Sequence, residues 1–138
     1  MIVTIEIAAS PERVWRALTV PAEVERWDGV AARDVPAGYP AVGQHARWST
    51  RSGPLRLVLH DRIRIVEPST RFASSIDVSF VHVEEEYRLG LRGQGVELVS
   101  DNDVRSRIPG LGWLAQRLTK VNVETSIDRL KAFCEQDE

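Results

Sequence analysis

Apolar and polar residues alternate at the start of the chain, Val3-Thr4-Ile5-Glu6-Ile7, and the alternation then gives way to helical spacing. Period two predicts a half-buried strand over 2–7, and Val14, Trp15 and Leu18 at i, i+1 and i+4 predict a helix behind it. Ser10 before Pro11 marks that helix's start. The hydroxyl can cap the first turn, and proline at the first helical position lacks only an N–H that has no partner there. Pro21 ends the helix and opens a second, which carries Val24 and Trp27 on one side and is closed by Asp28-Gly29. The period then returns to two, predicting strands near 30–35, 44–50, 55–66, 71–76, 79–90 and 94–104. Turn residues separate them: Pro36-Ala37-Gly38, Arg51-Ser52-Gly53-Pro54, Glu67-Pro68-Ser69-Thr70, Asp77-Val78 and Arg92-Gly93-Gln94. After the loop Ile108-Pro109-Gly110-Leu111-Gly112, residues 113–135 contain neither Gly nor Pro and predict one long helix.

Consecutive strands joined by short turns pair as antiparallel hairpins, and the turn position sets the register. Turns at 67–70, 77–78 and 92–93 put Leu57, Leu59, Asp61, Ile63 and Ile65 on one face with Phe72, Ser74 and Ile76. That face also takes Val81, Val83, Glu85, Tyr87 and Leu89, then Val96, Leu98, Ser100, Asn102 and Val104. The other face holds Arg56, His60, Arg62, Arg64, Arg71, Glu84, Glu86, Arg88, Glu97, Asp101 and Asp103. The expected cross-strand partners are Arg88 with Glu97, Arg71 with Glu84, His82 with Asp103, Glu85 with Ser100, Val83 with Asn102, and Trp48 with Leu57. A sheet with one apolar face needs a cover. The stripe Leu111, Leu114, Leu118, Val121 and Thr125, continued by Ile127, Leu130 and Cys134, predicts that the C-terminal helix provides it. The expected fold is therefore α+β: a seven-stranded curved antiparallel sheet wrapped around a long C-terminal helix, with two short helices between strands 1 and 2, in one domain over 1–138.

Composition narrows the function classes. With 138 residues, 43% hydrophobic and 28% charged, the chain fits an ordinary soluble domain. A net charge of −2 without a basic block gives no footprint for nucleic acid. Cys134 is the only cysteine, so an internal disulfide and a cysteine metal motif are excluded, and a cytoplasmic location is expected. No apolar run is long enough for an integral membrane segment. The pattern sets no oligomeric state.

The order of elements, with Ala9-Ser10-Pro11-Glu12-Arg13-Val14-Trp15 near the start and Asp128-Arg129-Leu130-Lys131-Ala132-Phe133 at the end, resembles the START-related helix-grip (SRPBCC) superfamily, which shares the birch-pollen-allergen fold. The nearest branch is the polyketide cyclase/dehydrase-like and lipid-transport one, and the resemblance covers essentially the whole chain. It implies a hydrophobic cavity between sheet and long helix that takes lipids, polyketides or other apolar molecules. Some members cyclise or dehydrate what they bind. The superfamily shares no single catalytic set, so the resemblance carries over a cavity, with no catalytic residue and no cofactor expected.

Asp61 and Glu85 stand out because both interrupt an apolar inward face. A buried carboxylate is costly enough to move its pKa, which suits a ligand contact or an acid–base role. His45, His60 and His82 point outward and diverge, so no metal site is expected. Trp113 follows Pro109-Gly110-Leu111-Gly112, where a gate is plausible on chain flexibility. The expected ligand-binding set is Trp48, Asp61, Phe72, Ser74, Val83, Glu85, Tyr87, Leu98, Ser100, Trp113, Leu114, Leu118 and Val121. Phosphate-loop and nucleophile-elbow patterns are absent. The leading expectation is a carrier or sensor for a small hydrophobic molecule. The alternatives are a cyclase or dehydratase acting through Asp61 or Glu85, and a protein-interaction or antitoxin-like module. Convergence of the cavity carboxyls would favour the enzyme; scatter would favour the carrier.

Overall fold

In the computed structural model, which describes residues 1–136, the elements run β1 (Ile2–Ile7), α1 (Pro11–Thr19), α2 (Pro21–Trp27), β2 (Ala31–Asp34), β3 (His45–Ser52), β4 (Leu55–Glu67), β5 (Arg71–Val78), β6 (Val81–Arg92), β7 (Gly95–Ser106) and α3 (Gly112–Cys134). The strands form one antiparallel sheet in the order β1-β7-β6-β5-β4-β3-β2. The α+β architecture and the two helices between β1 and β2 match the expectation from the pattern. Ser10 caps α1 through its hydroxyl, which accepts from the Arg13 N–H at 3.1 Å. Trp27 on α2 is buried and donates its indole N–H to the Ala17 carbonyl at 2.7 Å, which fixes the two short helices to one another.

The faces are as expected except past the β4 bulge and at the tip of the β3–β4 ribbon, where Arg56, expected on the outer face, borders the space beside α3; the registers are not. Between β5 and β6 the turn is Ser79-Phe80, and Phe72 faces Tyr87 where Val83 was expected, a slip of four. Ser79 takes a left-handed φ of 53° there, a conformation not apparent in an otherwise ordinary Ser-Phe pair. Between β6 and β7, Val83 faces Val104 instead of Asn102, a slip of two. Even slips leave every side chain on its own face, so hydrophobic patterning cannot detect them. The expected partners change accordingly: Arg88 faces Val99 and not Glu97, Arg71 faces Arg88, His82 faces Arg105, Glu85 faces Asn102, and Trp48 faces Leu59. A bulge in β4 between Ile63 and Ile65 is the other departure; beyond it Val66 pairs with Phe72 and joins the core in place of Ile65.

The outer face is laced by ion pairs that follow the true register: Arg64 with Glu84, Arg71 with Glu86, Arg88 with Glu86 and Asp101, Arg92 with Glu6 and Glu97. His82 sits between Asp77 and Glu84, at 2.6 and 2.8 Å.

The inner face packs on α3, which lies across β1 and β7 and against α1 and α2. Its buried side is Ala115, Val123, Ser126, Ile127, Leu130, Phe133 and Cys134. This corrects the first half of the expected stripe. Leu118 and Val121 are 51% and 62% exposed. Adjacent helical positions lie about 100° apart on the wheel. The row of Leu114, Leu118 and Val121 therefore stands one step round from Ala115, on a second apolar face that the sheet does not cover.

Candidate functional site

Two spaces meet at the α2–β2 junction. The inner one is small, about 60 Å³, and is enclosed by α1, α2, the loop before β3 and the inward residues of β3 to β6. Its polar wall is Asp28, Tyr39, Trp48, Asp61, Ser74, Glu85 and Tyr87. The cross-strand register assembles this wall: Ser74 faces Glu85, Glu85 faces Asn102, and Phe72 faces Tyr87. Asp61 on β4 is buried and takes two donors on Oδ2, the Tyr39 hydroxyl at 3.2 Å and the Trp48 indole at 3.3 Å. Tyr39 and Trp48 meet edge to face with ring centres 5.9 Å apart, which holds both donors on that oxygen. The other carboxyl oxygen of Asp61 has no partner among the described residues, and neither does the amide oxygen of Asn102.

Burial dominates the electrostatics. It pushes the Glu85 carboxyl up to about 8, helped by the nearby Asp28 and Asp61 charges and opposed by a Tyr87 hydrogen bond. Asp28 rises to about 7 for the same main reason, against a Ser126 hydrogen bond and the positive charge of Arg129. Asp61 is also raised by burial, with the Trp48 and Tyr39 hydrogen bonds and the neighbouring Ser74 hydroxyl pulling the other way. Burial and the neighbouring carboxyls raise the Tyr39 and Tyr87 phenols, so both remain protonated. At neutral pH Glu85 carries a proton to donate, Asp28 can give or take one, and the phenols are neutral donors. The carboxyls converge. Among the described residues no group of side chains is arranged to hold a metal.

The outer space is an open cleft of about 920 Å³. One wall is the second apolar face of α3, with Trp113, Leu114, Leu118 and Val121; the other is β2 with the end of the β3–β4 ribbon. Arg33, Arg51, Arg56, Arg117 and Arg129 line it against one carboxyl, Asp28. Asp28 and Val30 belong to both spaces and form their common wall.

Of the expected set, Trp48, Asp61, Phe72, Ser74, Glu85 and Tyr87 line the inner cavity. Trp113, Leu114, Leu118 and Val121 line the cleft instead. Val83 packs with Val81, Val104 and Ala115, and Leu98 is fully buried in the main core. Ser100 accepts a hydrogen bond from Asn102 at 3.0 Å and lines neither space. Sequence reasoning missed Asp28 and Tyr39. Asp28 carried one signal: an acid at a helix C-terminus opposes the helix dipole. Tyr39, in the loop between β2 and β3, carried none.

Over residues 2–135 the sequence matches the family model described as polyketide cyclase/dehydrase and lipid transport. Among functionally curated proteins none matches. The fold is similar to that of protein CV1439 from Chromobacterium violaceum, at 17% identity and a TM-score of 0.80, with 99% of this chain and 97% of that chain covered. It is also similar to CalU16 from Micromonospora echinospora, at 22% identity and 0.68, covering 97% and 74%. DynU16, a protein in the dynemicin biosynthetic locus, aligns at 19% identity and 0.75, covering 99% of this chain; the chain spans 47% of DynU16.

Proposed function

This chain belongs to the polyketide cyclase/dehydrase and lipid transport family, and on that premise we propose that it binds a small, mainly apolar molecule whose body lies in the cleft and whose oxygen-bearing end reaches past Asp28 and Val30 to Glu85. The observation that carries this reading is the large open cleft along α3, which meets, at Asp28 and Val30, a cavity on which Glu85, Asp28 and Asp61 converge with Tyr39 and Tyr87. At about 60 Å³ against about 920 Å³ the cavity is much the smaller of the two spaces, so the cleft is where the bulk of a ligand fits. A protonated Glu85 and the phenols at its wall favour a ligand carbonyl or hydroxyl as hydrogen-bond acceptor.

A second reading, proton-transfer catalysis on a polyketide-like substrate, is favoured by the same convergence and by Asp28 at about 7, poised to act in either direction near neutrality. Dehydration of a β-hydroxy ketone needs an acid for the departing hydroxyl and a base for the α-proton, and Glu85 and Asp28 could divide those roles.

The test pairs native mass spectrometry of freshly purified protein, to identify co-purified ligand, with affinity and melting measurements on Glu85→Gln. A ligand contact predicts weaker binding with unchanged or higher stability. Lower stability with unchanged affinity would retire the reading and leave Glu85 a structural residue.

A further inference from the structure

Like charges directly opposite each other in a ladder are unfavourable, and the sheet places five such pairs among Asp, Glu, Lys and Arg: Glu6/Glu97, Arg71/Arg88, Glu84/Asp103, Glu86/Asp101 and Arg51/Arg56. Four of them are relieved by an opposite charge. Arg92 holds Glu6 and Glu97, Glu86 holds Arg71 and Arg88, Arg88 holds Glu86 and Asp101, and Arg64 and Arg105 hold Glu84 and Asp103. Arg51/Arg56 is the exception. Neither arginine has a carboxylate partner among the described residues, and the same is true of Arg33, whose Nε donates only to the Ser49 hydroxyl at 2.8 Å. The three cations lie at the end of the β3–β4 ribbon and on the neighbouring edge strand, on the wall of the cleft that faces α3. The opposite wall, α3, presents Trp113, Leu118 and Val121 half-exposed or more, with Arg117 and Arg129 beside them. A cleft of about 920 Å³ with an apolar strip along α3 and five arginines at its borders fits a molecule with both characters.

We infer that the cleft's ligand is a small anionic amphiphile, with a carboxylate, sulfonate or phosphate held by Arg51, Arg56 and Arg33 and an apolar body laid along Leu118 and Val121. The acid supplies the missing counter-charge of the Arg51/Arg56 pair, and guanidinium pairs suit the two-point geometry of such groups. This deepens the function proposed above by naming the ligand class at the mouth of the same site. It rests on that reading for the inward direction of the ligand, and on the cleft alone for its charge.

The test uses two fluorescent probes that differ by one acid group, 1-anilinonaphthalene-8-sulfonate and N-phenyl-1-naphthylamine. The sulfonate is expected to bind more tightly, with affinity falling as salt rises. Arg51→Gln combined with Arg56→Gln, both exposed and outside the core, should weaken the sulfonate about tenfold and leave the neutral probe within about twofold. Leu118→Asp should weaken both. Equal loss of both probes in the arginine variant, or no loss of either, overturns the inference. Sedimentation of the wild type, but not the arginine variant, with phosphatidylglycerol vesicles also overturns it, because the patch is then a membrane contact. The cavity reading is tested by the affinity of Glu85→Gln for the co-purified ligand and this inference by the difference between the two probes, so a failure of one is seen separately from a failure of the other.

Discussion

The inner cavity and the outer cleft share Asp28 and Val30 and differ in nearly everything else. The cavity is small and acidic, and desolvation raises its carboxyls above the ordinary range. The cleft is large, open and cationic, and its arginines remain in water. A buried acid has its pKa set by the fold, whereas an exposed arginine has a charge that only a partner can use. On the reading proposed above the two regions divide the labour: the cleft has the room for a molecule, and the cavity has the groups that can move a proton.

The largest expected effect separates the two faces of α3. Leu130→Ala removes a fully buried side chain and should cost about 2–5 kcal/mol in chemical denaturation. Leu118→Ala, on the cleft face, should stay within about 0.5 kcal/mol. Equal costs would mean that the cleft is core and that the division between the two regions is false.

The next effect is electrostatic. Glu85 and Asp28 have folded values of about 8 and about 7 against ordinary values of 4.5 and 3.8. Both are raised, so the stability they contribute as neutral groups is complete below the ordinary values and is lost as pH rises through the folded ones. Thermal melting of the wild type should therefore fall between about pH 5 and pH 9. Glu85→Gln should flatten that fall and stabilise the protein by on the order of 1–2 kcal/mol at pH 9, with little change at pH 5. A melting temperature that rises across this range would break the account of the cavity.

The smallest effect compares arginines. Arg88→Gln breaks a network with Glu86 and Asp101 and should cost up to about 1 kcal/mol. Arg51→Gln relieves a like-charge pair and should be neutral or stabilising by a few tenths of a kcal/mol. If the two substitutions have the same sign and size, the cleft arginines are no different from those of the outer face.

Much of this organisation was legible in the sequence. Alternation gave both faces of the sheet, and Ser10-Pro11 and Pro21 gave the short helices, because those signals are local and strong. Asp61 and Glu85 were legible as acids on an apolar face, and their convergence with Ser74 and Tyr87 follows from parity, which the register slips preserve. Three things were not legible. The left-handed Ser79 and the bulge in β4 set the register through backbone geometry that neither residue type demands. The turn of α3 depends on which of two adjacent apolar rows meets the sheet, and Ala115, a small residue, is the one that makes the contact. Tyr39 reaches the site from a loop with no periodicity to read.

The central claim is that Glu85 and Asp28, at the wall of the cavity, titrate well above the ordinary carboxylate range. Carbon-13 NMR titration of the Glu and Asp side-chain carboxyls, assigned with Glu85→Gln and Asp28→Asn, tests it most directly. The account predicts a midpoint for Glu85 near about 8 and for Asp28 near about 7; a Glu85 carboxyl that titrates near its ordinary 4.5 would contradict it.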